Sequence, residues 1–149
     1  MSGEVKLVCA ARDLMPAPPL AGLVIEIVTA QANLATLLEN LDLNARGFDP
    51  DAPATSGEEA EAFRRNMSGV GFTARLNGIG VAAGMHLEIR DGTTELVGIT
   101  TLVPYRGRGI GAALTTAIAQ HAFAHGAESV YLSTDNTVAQ RVYERLGFS

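Results

Sequence analysis

The chain has 149 residues, 47% of them apolar and 18% charged, which is enough for one domain with its own core and too hydrophobic for a disordered chain. Sixteen acidic against eleven basic residues leave a net charge of −5, the wrong sign for a protein that lives on phosphate backbones, so nucleic acid is not expected as a partner. The single cysteine, Cys9, excludes an intrachain disulfide framework and a multi-cysteine zinc site. No apolar run approaches the roughly 20 residues of a membrane span, and Glu4 and Lys6 interrupt any leader at the N-terminus. The expectation is a cytoplasmic protein with no membrane partner.

In chain order, residues 4–11 read as a short strand, followed by Pro16, Pro18 and Pro19. Prolines fix their own φ and push the preceding residue towards extended geometry. Residues 1–19 are therefore expected as an N-terminal arm or linker and residues 20–149 as the domain. The β-rich run 23–28 reads as a strand. Residues 29–43 carry Leu34, Leu37, Leu38 and Leu41 at helical spacing. A loop with Pro50 and Pro53 precedes a helix opening at Ser56 or Gly57, with Glu58 and Glu59 in its first turn, where the helix dipole favours acids. That helix passes through Phe63 and stops near Gly69.

The middle of the chain is extended. Runs 71–76 and 78–89 are broken by Asn77-Gly78, and Asp91-Gly92 leads into a return strand over 95–103. Both dipeptides are strong hairpin signals. Beyond Val103 the period changes: Ile110, Leu114, Ala117, Ile118 and Ala122 line one helix face that ends at Gly126. A strand over 129–133 and a helix over 137–146 complete the order β-α-α-β-β-β-α-β-α. This is an α+β (α/β) fold with a mixed, mostly antiparallel sheet, whose β-α-β end must include a parallel pairing.

The most informative stretch is Val103-Pro104-Tyr105-Arg106-Gly107-Arg108-Gly109-Ile110-Gly111-Ala112, set between a strand and a helix. Its glycines let a ligand approach the backbone closely, and the first amides of the helix have no internal partners. With the positive dipole end and two arginines, the stretch reads as a pyrophosphate cradle. The plainer reading is a glycine-rich turn with two solvated arginines. Gly107 to Ala112 also fits G-x-G-x-x-A, but a dinucleotide-binding oxidoreductase places that motif after its first strand and needs further βα units, and too little chain follows here.

Arg106-Gly107-Arg108-Gly109-Ile110-Gly111, followed after a helix and a strand by Asn136-Thr137-Val138-Ala139-Gln140-Arg141-Val142-Tyr143-Glu144-Arg145-Leu146-Gly147-Phe148, resembles the two signatures of the Gcn5-related N-acetyltransferases (GNAT). The resemblance implies acetyl-CoA as acetyl donor, no metal, and direct transfer to a primary amine on a small molecule or peptide. It implies that the backbone of Gly107, Arg108, Gly109, Ile110, Gly111 and Ala112, with Arg106, holds the pyrophosphate. Leu102 and Val103 would run beside the pantetheine as an added strand does, the Val103 N–H would face the developing oxyanion, and Asn136 and Ala139 would lie alongside. Tyr143 would protonate the departing thiolate. By spacing alone, Val142, Tyr143 and Leu146 read rather as a core stripe; the signature around Tyr143 reverses that balance.

For the base that takes the amine proton, the resemblance favours Glu95, on the strand leading to the turn; Glu26 and His86 are the other candidates. His121 and His125 have the i, i+4 spacing of a metal pair, but no carboxylate or cysteine supports a site and they read as a solvated helix flank. The segment before the glycine turn is one residue shorter than the family pattern. This bears on which strand face Glu95 and Thr101 occupy, because a one-residue slip swaps faces. Relatives continue past Leu-Gly-Phe into two further strands that this sequence lacks. Residues 5–10 are expected to cover the resulting edge, in their own chain or by exchange in a homodimer; alternatively the chain resembles the second half of longer relatives, with the proline-rich segment as the linker. A non-catalytic acyl-CoA-binding or regulatory module is the alternative to the enzyme.

Overall fold

The computed structural model describes residues 3–149. Its strands are β1 (Val5–Ala10), β2 (Leu23–Val28), β3 (Val70–Leu76), β4 (Ile79–His86), β5 (Thr93–Thr101) and β6 (Ser129–Thr134). The helices are α1 (Leu34–Phe48), α2 (Gly57–Asn66), α3 (Ile110–Ala124) and α4 (Thr137–Arg145). The strands form one sheet in the order β1-β6-β5-β4-β3-β2. All pairings are antiparallel except β5–β6, the parallel pairing that the β-α-β end requires.

Local chemistry sets the meander. Asn77 and Gly78 have φ of 51° and 85°, and Asp91 and Gly92 have 53° and 75°. Two consecutive left-handed residues make the tight turn that matches strand twist, and only Gly, Asn and Asp adopt it readily. Helix α2 opens with a complete capping box, Ser56 accepting from the Glu59 amide and Glu59 from the Ser56 amide. Asn33 caps α1 through the Thr36 amide at 2.8 Å.

Helix α3 packs one face of the sheet. Leu114, Ile118, Ala119 and Ala122 are fully buried and meet Phe72, Val81, Leu96, Val130 and Leu132 in one core. Each large side chain so buried contributes roughly 1.5–3 kcal/mol. Helix α1 packs the other face, where the Asn40 amide donates to the Phe72 carbonyl (3.1 Å) and to Thr73 Oγ1 (2.9 Å). Neighbouring β5 residues identify the two sides. Ile99 lies with Ile118 of α3 around Gly84, while Thr100 lies against Gly47 of α1.

The structure redraws three boundaries. Helix α1 starts at Leu34 rather than residue 29, because the Ala32 amide bonds to the Thr29 carbonyl in a turn and Asn33 takes the cap. It also runs five residues beyond Leu43, so that Asn44 and Gly47 lie against β5. Strand β5 stops at Thr101, where Pro104 turns the chain into a short 3-10 segment, Val103–Tyr105. The segment expected as an arm contributes β1, paired with β6 of its own chain from Val5↔Thr134 to Ala10↔Ser129, and places Leu7 and Cys9 in the α3-side core. The proline-rich residues after it lie along the same core through Leu14, Ala17 and Leu20.

Candidate active site

Strands β5 and β6 are in register only over residues 93–95 and 129–131. Past that point a cleft of about 730 Å³ opens between them, walled by β5 from Glu95 to Thr101 and by residues 132–136 with α4. A β-strand whose neighbour has moved away leaves backbone donors and acceptors without a ladder partner. The edge of β5 beyond Glu95 is in that condition.

A bulge shapes this wall. Val97 pairs with Met85 and Thr100 with Ala83, so Gly98 and Ile99 together oppose the single residue Gly84. Gly98 has φ of 66°, a conformation that disfavours any side chain. A Cβ there would also stand 2.9 Å from Asn44 Nδ2. That amide nitrogen donates to the Gly98 carbonyl at 2.6 Å. The bulge changes the phase of the strand. Leu96 belongs to the α3-side core, which puts Glu95 and Val97 on the opposite face by alternation, whereas Thr100 has moved to the α1 side. Glu95 and Thr101 both line the cleft.

The glycine turn closes one end. Gly107 and Gly109 have φ of 77° and 86°, and Gly109 is the N-cap of α3 without a side-chain cap. The first amides of α3 therefore lack acceptors inside the helix. A Cβ on Gly107 would meet none of the described residues within 4 Å, whereas one on Gly109 would meet Leu20 Cδ1 at 3.7 Å. The Arg106 guanidinium donates to the Thr101 carbonyl (2.9 Å) and to the Gly47 carbonyl, tying the turn to β5 and α1. Arg108 lies over the Tyr105 ring, 5.4 Å from its centroid. The Leu102 amide donates to Val81 across β4 at 2.9 Å, which turns that N–H away from the cleft. Val103 is exposed in the 3-10 turn. Ile110 is buried beneath the turn, and Gly111 reaches the cleft beside Arg106, followed by Ala112.

Helix α4 supplies the opposite wall. Asn136 is its N-cap and accepts from the Ala139 amide at 3.0 Å. The two signature residues are thus one local motif, and both line the cleft with Tyr143. Burial raises the Tyr143 phenol above its ordinary value near 10, because the low-dielectric surroundings disfavour the phenolate. It stays protonated through neutral pH.

Other candidates lie elsewhere. Glu26 and Glu39 flank Arg75 in an ion-pair network that lifts the guanidinium pKa, chiefly by hydrogen bonds to Glu39 and then Glu26. His86 is buried and does not line the cleft. Its Nδ1 donates to the Leu87 carbonyl (2.8 Å) and its Nε2 accepts from His121 Nδ1 (3.0 Å). His121 in turn stacks on His125 at 4.0 Å between centroids and meets the edge of Phe72. The histidine pair expected as a solvated flank is thus part of a three-histidine cluster. Among the described residues no group of three His, Cys, Asp or Glu is placed to hold a metal ion, and no helix is long and apolar enough to cross a membrane. Cys9 is buried, and burial together with Asp13 raises its thiol pKa.

Sequence reasoning missed Asn44, Gly47 and Phe48 of α1, and Gly98. The one legible signal was an isolated glycine between Val97 and Ile99, the mark of a bulge. Phe48 lines the cleft while two-thirds exposed (67%).

A splayed parallel pair with a bulge on one wall, a glycine turn at its end and a tyrosine on the other wall frames the cleft. Residues 36–148 match the Acetyltransferase (GNAT) family, and the chain belongs to it. Over 66 residues it is 45% identical to a mycothiol acetyltransferase of Corynebacterium aurimucosum, covering 43% of this chain and 22% of that one. A GCN5-related N-acetyltransferase from Kribbella flavida superposes with a TM-score of 0.73 at 28% identity, over 97% of this chain and 52% of that structure. An aminoglycoside acetyltransferase from an uncultured soil metagenomic sample shares the fold, with a TM-score of 0.65 at 17% identity over 83% of this chain and 84% of its own. The chain spans about half the length of the Kribbella protein and about a fifth of the curated relative.

Proposed function

We propose that the cleft binds acetyl-CoA and that the protein transfers its acetyl group to a primary amine on a small molecule or peptide. The observation that carries this reading is the convergence of Glu95, on the β5 wall, and Tyr143, on the α4 wall, upon one cleft that the glycine turn abuts. The donor supplies an acetyl group activated as a thioester. The turn amides from Gly107 to Ala112 suit a pyrophosphate, since the N-cap is a glycine with no side-chain cap and a Cβ on Gly107 would meet none of the described residues within 4 Å. Arg106, held by two carbonyls, would set that turn against β5, and Arg108 would add charge at its rim.

Glu95 accepts the proton of the incoming amine, so that the neutral nitrogen attacks the acetyl carbon as the carbon–sulfur bond breaks. Tyr143, protonated through neutral pH, gives its proton to the leaving sulfur, and the second proton that the nitrogen sheds as the amide forms returns through solvent to the phenolate. The peptide groups of the bulge at Gly98 and Ile99 are better candidates for polarising the acetyl oxygen than the Val103 N–H, because both residues line the cleft and neither pairs with β4. Asn136 and Ala139 form the wall along which the pantetheine would run. Glu95 and Asp135, both lining the cleft, favour a cationic acceptor.

Thermal unfolding with excess acetyl-CoA, and with NAD as control, tests the donor. A ligand at 100 times its dissociation constant stabilises the fold by about 2.7 kcal/mol. Release of coenzyme A thiol in the presence of a panel of primary amines tests the transfer. Stabilisation by acetyl-CoA without turnover of any amine would support the acyl-CoA-binding module instead. Stabilisation by NAD alone would overturn both.

A further inference from the structure

Helix α1 runs five residues beyond its expected end, and that extension meets β5 at two points and Arg106 of the glycine turn at a third. Asn44 Nδ2 donates to the Gly98 carbonyl at 2.6 Å. Gly47 lies so close to β5 that a Cβ there would come within 2.3–2.9 Å of the Thr100 side chain. The Gly47 carbonyl accepts from Arg106, whose Nε also donates to the Thr101 carbonyl. One helical turn therefore grips both the bulge and the end of the strand that feeds the glycine turn.

The grip on Gly98 has a consequence for the cleft. Gly98 and Ile99 have no partner in the β4 register, and Gly98 has the φ freedom of a left-handed glycine. The register passes from Val97↔Met85 to Thr100↔Ala83, so the peptide that joins them lies inside the bulge rather than in a regular ladder pair. That peptide is planar and trans, so fixing its carbonyl also fixes the direction of the Ile99 N–H. The Asn44 amide holds its carbonyl from the α1 side, and a Cβ at position 98 would stand 2.9 Å from Asn44 Nδ2. Both Gly98 and Ile99 line the cleft.

We infer that Asn44 is a positioning residue for acetyl transfer: it donates to the Gly98 carbonyl and so holds the Gly98–Ile99 peptide of the cleft wall in one orientation. This role rests on the acetyl-transfer reading. Asn44 itself need touch neither donor nor acceptor.

The test compares Asn44→Asp and Asn44→Ala with the wild type in kcat, acetyl-CoA dissociation constant and melting temperature. Aspartate has the shape of asparagine but, when ionised, only accepts hydrogen bonds, so it repels the Gly98 carbonyl. Loss of orientation lowers kcat about 10–100-fold in both variants, with acetyl-CoA affinity retained and the aspartate variant at least as slow as the alanine variant. A role in filling space predicts the reverse order, with aspartate close to wild type, and that result would overturn the inference. So would an unchanged kcat in both variants, or losses of kcat and coenzyme affinity in equal measure. A wild-type protein that binds acetyl-CoA but turns over no amine would instead reject the acetyl-transfer reading itself, and this role with it.

Discussion

Val8 and Ser149 exchange both of their backbone hydrogen bonds, at 2.8 and 2.9 Å, so that β1 is held between β6 on one side and the residues that follow α4 on the other. The Met15 amide donates to the Leu146 carbonyl (2.9 Å), and Gly147, with φ of 103°, passes so close to Asp13 that a Cβ would stand 2.0 Å from its carbonyl oxygen. Residues 5–15 are stitched to residues 146–149.

Leu7 tests how much this stitching contributes to stability. It is 4% exposed within the α3-side core, and Leu7→Ala should cost about 2–5 kcal/mol of unfolding free energy in urea denaturation. Lys6, whose ammonium lies 4.4 Å from the Tyr131 ring centroid, would serve as the same-strand control: Lys6→Ala should cost about 1 kcal/mol or less. Equal small effects at both positions would show that β1 contributes no core.

Tyr143→Phe removes the hydroxyl proposed as proton donor and keeps the ring that packs 6.1 Å from Phe148. The expected outcome is a fall in kcat of about 10²–10⁴-fold, with acetyl-CoA affinity and melting temperature retained. Because burial raises the phenol pKa above 10, ionisation of Tyr143 should not produce a loss of wild-type activity between pH 8 and about 10. Wild-type turnover in the phenylalanine variant would reduce Tyr143 to a packing residue.

The histidine cluster predicts acid sensitivity. Burial, then His125 and His86, lower the pKa of His121 below its ordinary 6.5, and these effects outweigh the favourable pull of the α3 C-terminus on a cation. The unfolded chain therefore takes up a proton near pH 6.5 that the folded chain refuses until lower pH. The stabilisation is fully present above that value and is lost as the pH falls through the lower folded-state value. Melting temperature should drop between pH 7.5 and pH 5 by more in the wild type than in His121→Gln. Parallel curves would remove His121 as the cause.

Thr116 offers a gain. The residue is 6% exposed, and its Oγ1 has no hydrogen-bond partner among the described residues. A buried unsatisfied hydroxyl costs about 1–3 kcal/mol. Thr116→Val replaces it with a methyl of similar size and should raise stability by up to about that amount in denaturant unfolding. A loss of stability would mean that the hydroxyl is satisfied in solution.

Most of the fold was legible because its signals are local. Asn77-Gly78 and Asp91-Gly92 determine two hairpins through φ alone, and the apolar stripe from Ile110 to Ala122 identifies a helix through its period. The glycine turn and the capped start of α4 are likewise contiguous motifs, and it is their resemblance to the two family signatures, rather than spacing alone, that implicates the residues from Arg106 to Gly111 and from Asn136 to Tyr143. The Leu102 amide and the Arg106 side chain were legible by position but not by partner, since Val81 and Gly47 lie far from them in sequence.

By itself the sequence determined the family, the element order and the two stretches that border the cleft, because turn conformation, helix period and cap chemistry are decided within a few residues. Tertiary structure decided the rest. The in-chain pairing of β1 with β6, the phase change at Gly98, the grip of Asn44 on that bulge and the gathering of His86, His121 and His125 each depend on residues distant in the chain, with Asn44 and Gly98 54 positions apart and His86 and His121 35 apart. No local pattern encodes such meetings; they follow from which faces of sheet and helix must be buried together.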